Sequence, residues 1–550
     1  MAKLSAYERE REANIARNRA LLEQLELKQA VEGLGFPEKQ APQKTKAKPV
    51  QPAKKVKKEA DAPRRQSARL RSAATLDPNE SPSKKRKREA EEQERLAKEA
   101  EERIEAQERE RLAKKPRHDD LNLIALTDED TAAAASLSTE LQNIVQIRTR
   151  RPANPEAFVF DEDSEDQAQV EELRGKLQSL KVVARAKVTE NRVYSAAYHP
   201  EPTKDLIFFG DKHGQLGIWD ARAPQDNEDE HNAETQENGK YWRLQVHWPA
   251  TSQSSISSVK IDPIDSHTVY TSAYDCTIRA LSFTSGVSRE IFTNDETLIS
   301  GMDVVPSGHE MWISDAAGGV THLDLRQDKS KGKWYQLSDQ KIGSVSINPS
   351  RENFLLTASN SKELRIWDTR KLQSMITDLS LDASTTEFDS EIVSRFRDSK
   401  EGAGCLRGEW RHDRSVSSAY WDPRGRGIVS TSYDDAIRIW DIHSPAFESP
   451  KPFPSARPLC RISHNCQTGK WLTILRAQWN PNPDVYPHFT IANMNHSLDI
   501  ISCKGERIVR LSDSSKITAV QAVTCSHPSV VERAATGNAS GRCVLWAPET

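Results

Sequence analysis

From about residue 180 onward the chain is written as short apolar runs punctuated by Pro, Gly, Asp and Ser, and these runs recur in a fixed order. An alternating segment closed by proline opens each unit: VYSAAYHP (Val193 to Pro200), ISSVKIDP (Ile256 to Pro263), ISGMDVVP (Ile299 to Pro306), GSVSINP (Gly343 to Pro349), VSSAYWDP (Val416 to Pro423), LRAQWNP (Leu475 to Pro481) and ITAVQAVTCSHP (Ile517 to Pro528). A second apolar run, an Asx or Gly turn and a third run follow. LIFFGDKHGQLGIWDAR (Leu206 to Arg222), TVYTSAYDCTIRALSF (Thr268 to Phe283), EMWISDAAGGVTHLDLR (Glu310 to Arg326), NFLLTASNSKELRIWDTR (Asn353 to Arg370) and GIVSTSYDDAIRIWDIH (Gly427 to His443) are the clearest copies. HFTIANMNHSLDIIS (His488 to Ser502) and RAATGNASGRCVLWAP (Arg533 to Pro548) complete a set of seven. Runs of this length, rich in Val, Ile, Thr and aromatics and bounded by turn formers, predict strands.

A third strand ending in Trp-Asp, repeated at a period near ~40–45 residues, is the WD-repeat signature of a propeller blade. The Trp is expected to wedge a blade against its neighbours, and the Asp to hold a turn by accepting backbone hydrogen bonds. One four-stranded blade cannot bury both faces of its own sheet, so the units must close into a ring. The fold predicted is all-β: a seven-bladed WD-repeat β-propeller over residues 185–550. Longer insertions at Ala223 to Ala250 and Leu372 to Asp413 are expected to project as loops.

Residues 1–180 read differently. From Lys39 to Ser83 the chain is Pro, Lys, Ala, Ser and Gln with almost no large apolar residue. Ordering such a segment costs chain entropy with no burial to offset it. A helix is expected over Leu4 to Leu34, and a solvated single helix over Glu89 to Lys115, where Leu96, Ile104 and Leu112 stand eight residues apart and make no heptad seam. Residues 1–180 are therefore expected to be a largely disordered, partly helical basic extension.

The formal net charge of −3 is a cancellation. Lys44 to Arg88 holds 16 basic and 4 acidic residues, whereas Asp161 to Glu172 holds 7 acidic residues and no basic one. Lys84-Lys85-Arg86-Lys87-Arg88 reads as a nuclear import signal, the bland reading being a solvated charge run. Lys54 to Lys58 and Arg64 to Arg71 add cations on a flexible chain, a form that neutralises phosphates without reading sequence. The seven cysteines are scattered and odd in number, which points to a reducing, intracellular compartment. With no run of 18 apolar residues, no membrane-spanning helix is expected.

Motifs of catalysis are missing: there is no GxxxxGK[ST], no GxSxG and no HExxH. Cys460, His464 and Cys466 resemble metal ligands, but a fourth ligand at a recognisable spacing is lacking, and buried or loop thiols are the better reading. No enzyme, no cofactor and no metal are expected.

Taken together, TASNSKELRIWDTR (Thr357 to Arg370), TSAYDCTIR (Thr271 to Arg279) and the opening YEREREANIARNRALL (Tyr7 to Leu22) resemble the WD-repeat damaged-DNA-binding family, including its fungal nuclear members. The resemblance implies that DNA lies on one rim of the disc, where a hairpin wedge of Phe-Gln-His enters the duplex. Aligned on LTILRAQW (Leu472 to Trp479), this chain has Gly469-Lys470-Trp471 there instead. An indole can still stack in place of an unstacked base and a lysine can reach a phosphate; the alternative is that Trp471 is an ordinary blade aromatic. By the same resemblance Arg192 and Lys212 match phosphate contacts, with Arg414 and Lys333 in comparable loops, the alternative for each being a solvated charge. The Trp-Asp-x-Arg endings at Arg222 and Arg370, and Asp324-Leu325-Arg326, are similar to those of cullin-RING ubiquitin-ligase substrate receptors, where the arginine docks to the ligase's adaptor; local pairing with a turn Asp is the alternative. The function expected is a nuclear, non-catalytic reader of DNA, damaged duplex or chromatin and its histones in DNA-damage and replication-stress responses. The competing expectation is a protein-interaction scaffold or substrate receptor.

Overall fold

The computed structural model describes residues 117–224, 237–294, 297–327, 332–376, 385–453 and 457–549, together with residues 95 and 98. The helix expected at 4–34, the rest of that at 89–115 and the basic cluster at 84–88 lie outside the described residues.

Seven sheets form, one per sequence unit, antiparallel except where Thr385–Phe388 adds to the edge of blade three parallel to its neighbour. In blade one the strands run Val193–Tyr198, Leu206–Asp211, Gln215–Asp220 and Lys240–Gln245, from innermost to outermost. Blades two to six repeat this order, beginning at Ile256, Ile299, Ile342, Val416 and Gln478. Blade seven is composite: Val523–Ser526, Ala534–Gly537 and Arg542–Ala547 take their outermost strand from Lys181–Lys187, which pairs antiparallel with Arg542–Ala547. The two ends of the propeller segment thus share one sheet, and the ring is closed by backbone hydrogen bonds.

The repeat residues do what their chemistry suggests. Trp219, Trp367 and Trp546 are fully buried between blades. Blade three lacks the third-strand Trp, and Trp312 on its second strand supplies the bulk, stacked on Tyr335 and in tilted contact with His322. Asp368 accepts from the Arg370 N–H at 3.1 Å and Asp324 from the Arg326 N–H at 3.0 Å. Every turn between second and third strands has a left-handed residue, directly before the third strand at Gly214, Cys276, Gly318, Lys362, Asp435 and Gly541 and one residue earlier at His496. Only two of the non-glycines there are Asp or His, so tertiary pairing, not local propensity, holds the other two, Cys276 and Lys362, in place.

Residues 117–180 correct the boundary expected at 180, because they are built into the disc. Leu121–Asn122 adds a fifth strand to blade two. Helices Leu123–Leu126 and Thr131–Gln142 bury Leu126, Leu137 and Leu141 against Trp242, Leu244 and Trp248. The chain then crosses one face of the disc. Ile147 N–H reaches Ser266 Oγ, Arg150 reaches Asp303, Arg151 reaches Asn482 and Asp484, and Glu156 pairs with Arg426. Helix Asp163–Leu177 finally buries Val170, Leu173 and Leu177 among blade-six and blade-seven residues. Its composition is acidic, but the three apolar residues fall at i, i+3 and i+7 on one face, and their burial offsets the ordering entropy that the polar composition suggested would go unmatched.

Two expectations follow. Limited proteolysis should leave a fragment beginning near residue 117, and Leu137→Ala should destabilise it by about 2–5 kcal/mol in denaturant titration, as a core truncation does; a change of a few tenths would mean the helix is not docked. The second concerns acid. His199, His412, His488 and His527 are each pushed down to about 4 by burial. Neutral in the fold, they take up protons on unfolding, so their contribution is full above about 6.5 and is lost as pH falls from there towards 4, at about 1.4 kcal/mol per pH unit for each. Proton uptake on unfolding at pH 5, measured by calorimetry in buffers of different ionisation enthalpy, should approach four.

Candidate nucleic-acid interface

Antiparallel order fixes which loops share a face. Turns between second and third strands, and the connections leading into each inner strand, lie on one side, the upper face; the remaining turns lie on the other. The upper connections are tied by a repeated bond. Lys212 N–H donates to Arg192 O, Tyr274 to Ser255, Ala316 to Leu298, Asn360 to Lys341 and Tyr433 to Ser415, at 2.9–3.1 Å. Lys212, Tyr274 and Tyr433 are therefore one structural position in blades one, two and five. Arg192 and Lys341 are likewise equivalent, and Arg414 is adjacent to that position in blade five.

Above this ring runs the connection from blade five to blade six. His464 donates from Nε2 to Ala492 O at 2.9 Å, Cys466 N–H binds Asp435, and Thr468 Oγ1 meets the Tyr433 hydroxyl at 3.3 Å. The loop then reaches blade one: Arg192 Nη1 donates to Lys470 O at 3.1 Å, and Thr473 Oγ1 donates to Val193 O at 2.5 Å. Leu475 turns down against Ala492, Val520 and Ala522, and the chain enters blade six. Blade one is two places beyond blade six in the ring, so the loop leans over the inner strands before descending. Gly469, with φ of +59° and open space about it, sharpens the bend. Between the two anchored ends, Lys470 is exposed and Trp471 is 85% exposed. An ordinary blade Trp is buried, as Trp219 and Trp367 are; Trp471 is not of that kind.

The upper face thus brings together Arg192, Lys212, Arg414, Lys470 and Trp471. Lys333 does not join them. It is the second residue of blade three's outer strand, Gly332–Gln336, beside the lower face, and its Nζ donates to Gln373 O at 2.9 Å. Its loop resembles the others in sequence, but the parity of the strand order puts it on the wrong side. The lower face also holds Arg222, paired with Asp205 at 2.7 Å, and Arg326 and Arg370, each held in a fork by its own turn Asp. Asp324 is thereby held well below the usual carboxylate range by the Arg326 guanidinium.

Cys460, His464 and Cys466 belong to strand and loop: burial, aided by Asp435 and Asp434, pushes the Cys466 thiol up to about 12. Among the described residues no group of three or more His, Cys, Asp or Glu could hold a metal ion. No described helix is long and apolar enough to cross a membrane. Sequence reasoning passed over Tyr194, Tyr274, Lys341 and Tyr433. The Tyr-Asp pairs at 274–275 and 433–434, both just ahead of a third strand, were the available signal.

The WD domain, G-beta repeat family model matches residues 404–441. The DNA damage-binding protein CMR1 of Cryptococcus neoformans var. neoformans serotype D is 38% identical over 433 residues, covering 69% of this chain and 71% of its own length. Proteins of the same name from Mycosarcoma maydis and Phaeosphaeria nodorum are 30% and 33% identical, covering 100% and 99% of this chain and 100% and 98% of their own lengths. The chain belongs to the CMR1 family of fungal DNA damage-binding proteins. Within a CMR1 propeller as described here, the chemistry an aromatic and several cations can supply is stacking on a base and neutralisation of phosphates.

Proposed function

We propose that this chain binds damaged or distorted DNA through the upper face, without catalysis, as a nuclear protein of the DNA-damage and replication-stress responses. One observation carries the reading. Arg192, Lys212, Lys341, Arg414 and Lys470 form no ion pair with a carboxylate among the described residues, and they share one face with the most exposed indole among those residues, whereas Arg222, Arg326 and Arg370 on the lower face are all neutralised by aspartates. Cations without carboxylate partners on the face that carries an exposed aromatic ring match a phosphate backbone with a base that can be unstacked. The names of the relatives support the same ligand. Chromatin contact through its DNA would follow from the same phosphate-directed charge.

A second reading concerns the lower face and is compatible with the first. Arg326 and Arg370 remain about 60% exposed despite their forks. A guanidinium so held is pre-oriented to offer its free edge to a partner, as docking to a ligase adaptor requires.

In titrations of intact, mismatched and UV-damaged duplexes, Lys470→Ala should weaken all three alike and lower the salt slope by about 0.9, one phosphate contact. Trp471→Ala should cost about 1–3 kcal/mol, most on duplexes whose bases already unpair, with the salt slope unchanged. Arg326→Ala should leave every duplex unaffected. Wild-type binding by both upper-face variants, at unchanged melting temperature, would remove DNA from this face. Separately, replacing Lys84 to Arg88 with alanine should move the protein out of the nucleus in a fluorescent-fusion assay; undiminished nuclear accumulation counts against the import signal.

A further inference from the structure

The upper face holds more aromatic surface than a single wedge uses. The inner strands of blades one to five each carry a bulge at their second residue, where the pairing register shifts. A bulge re-aims a side chain. In blades two to five the bulged residue is Ser257, Ser300, Gly343 or Ser417, and only blade one has a ring there, Tyr194. Tyr194 lines the central cavity between the inner strands, and the Arg192 guanidinium lies over it at 5.3 Å. In the turn of blade two Tyr274 repeats the arrangement: Lys341 Nζ sits 4.8 Å above its ring and donates to its hydroxyl at 2.9 Å. Burial pushes the Tyr194 phenol up, opposed by Arg192 and reinforced by Tyr274. Tyr433, at the position equivalent to Tyr274, braces the loop that carries Trp471.

A closed duplex cannot use this set. Its base faces are spent on stacking, and it presents edges and phosphates; one intercalating ring exhausts what a local distortion frees. Rings paired with cations, repeated on one face, match a chain that repeats an unstacked base with a phosphate. Building on the DNA reading above, we propose that the preferred ligand of the upper face is single-stranded DNA, with Tyr194, Tyr274 and Trp471 as stacking platforms and Arg192, Lys341 and Lys470 as phosphate partners. Base-edge readout is not needed for this, so the binding should be tolerant of sequence.

The test uses the full chain, fluorescence anisotropy and a labelled mixed-sequence 15-mer, as a single strand, as the matched duplex and as RNA. The single strand should bind at least tenfold more tightly than the duplex. Tyr194→Ala and Tyr274→Ala should each weaken it by roughly 5- to 150-fold and leave the duplex unchanged. Tyr274→Phe, which keeps the ring, should bind as the unaltered protein does, and Lys341→Gln should lower the single-strand salt slope by about 0.7. Melting temperatures of the variants confirm that each is folded, and Tyr194→Leu, which removes the ring but keeps bulk, serves where the alanine variant is not. A duplex bound as tightly as the single strand, an RNA bound more tightly than the DNA, or tyrosine variants without effect on the single strand overturns the proposal. If Trp471→Ala then still weakens the duplex, the DNA reading stands and the single-strand preference alone falls; if Trp471→Ala and Lys470→Ala change neither ligand, both fall.

Discussion

Ring closure is the constraint on which the rest depends. A blade has apolar side chains on both faces of its sheet, and neither face can be covered except by the next blade, so all seven must be present and the last must meet the first. Here that junction is the pairing of Lys181–Lys187 with Arg542–Ala547. The segment before residue 181 strengthens it from outside. Between residues 145 and 158 the chain touches the lower ends of blades one, two, three, five, six and seven. At its middle, Arg150 and Lys260 converge on Asp303, at 3.1 and 3.2 Å, and the Ile347 N–H donates to the same carboxylate at 2.8 Å. Burial alone would raise the Asp303 pKa; Lys260, Arg150 and that amide hold it below its ordinary value. Three blades' worth of structure, through blades two, three and four, is thus tied at one buried charge that could not stay ionised unpaired.

Much of this was legible because a propeller writes its architecture locally. Each Pro turn, each Asx or Gly turn and each Trp-Asp ending marks a strand boundary within a few residues, and the count of units fixes the blade number. Residues 117–180 were not legible, since their apolar residues are few and their partners, such as Trp242 and Tyr486, lie far along the chain. Composition registers how many apolar residues a segment has, not whether they share one face of a helix. The upper-face cations Arg192, Lys212, Arg414 and Lys470 were reached by resemblance to a family, and the strand order places them together. Lys333 was reached in the same way and lies elsewhere, because an inter-strand loop in sequence carries no label of its face. Tyr194 escaped notice for a related reason: the register shift that re-aims the second residue of an inner strand is not written in the sequence.

The distribution of charge shows why net charge was uninformative. The disc has abundant acids, but they are committed. Asp205, Asp324, Asp368, Asp441 and Asp499 each hold an arginine, and Asp211 and Asp315 hold turn amides. On the upper face Arg192, Lys212, Lys341, Arg414 and Lys470 stay outside any such pair among the described residues, as does the exposed acid Asp339 beside Lys341. A surface is read by a ligand through its uncommitted groups, because a cation already in a fork has lower residual attraction for phosphate than a solvated one. Pairing, more than composition, therefore separates the two faces of the propeller.

The loop carrying Trp471 completes the argument, because an exposed indole is useful only if it is held. A freely moving tryptophan would spend part of its stacking energy on being ordered at binding. Here the loop is fastened at both ends before any ligand arrives, to Asp435 and Tyr433 on one side and to Arg192 and Val193 on the other, and Gly469 supplies the bend that a side chain would strain. The anchors are themselves members of the interface: Arg192 donates to the backbone of Lys470 while lying over Tyr194, and Tyr433 occupies the turn position that Lys212 and Tyr274 occupy in their own blades. The support for the wedge and the surface around it are consequently one network. A substitution at Arg192 removes a cation and loosens the aromatic beside it, so its effect on binding should exceed that of Lys212 or Arg414, which carry charge alone.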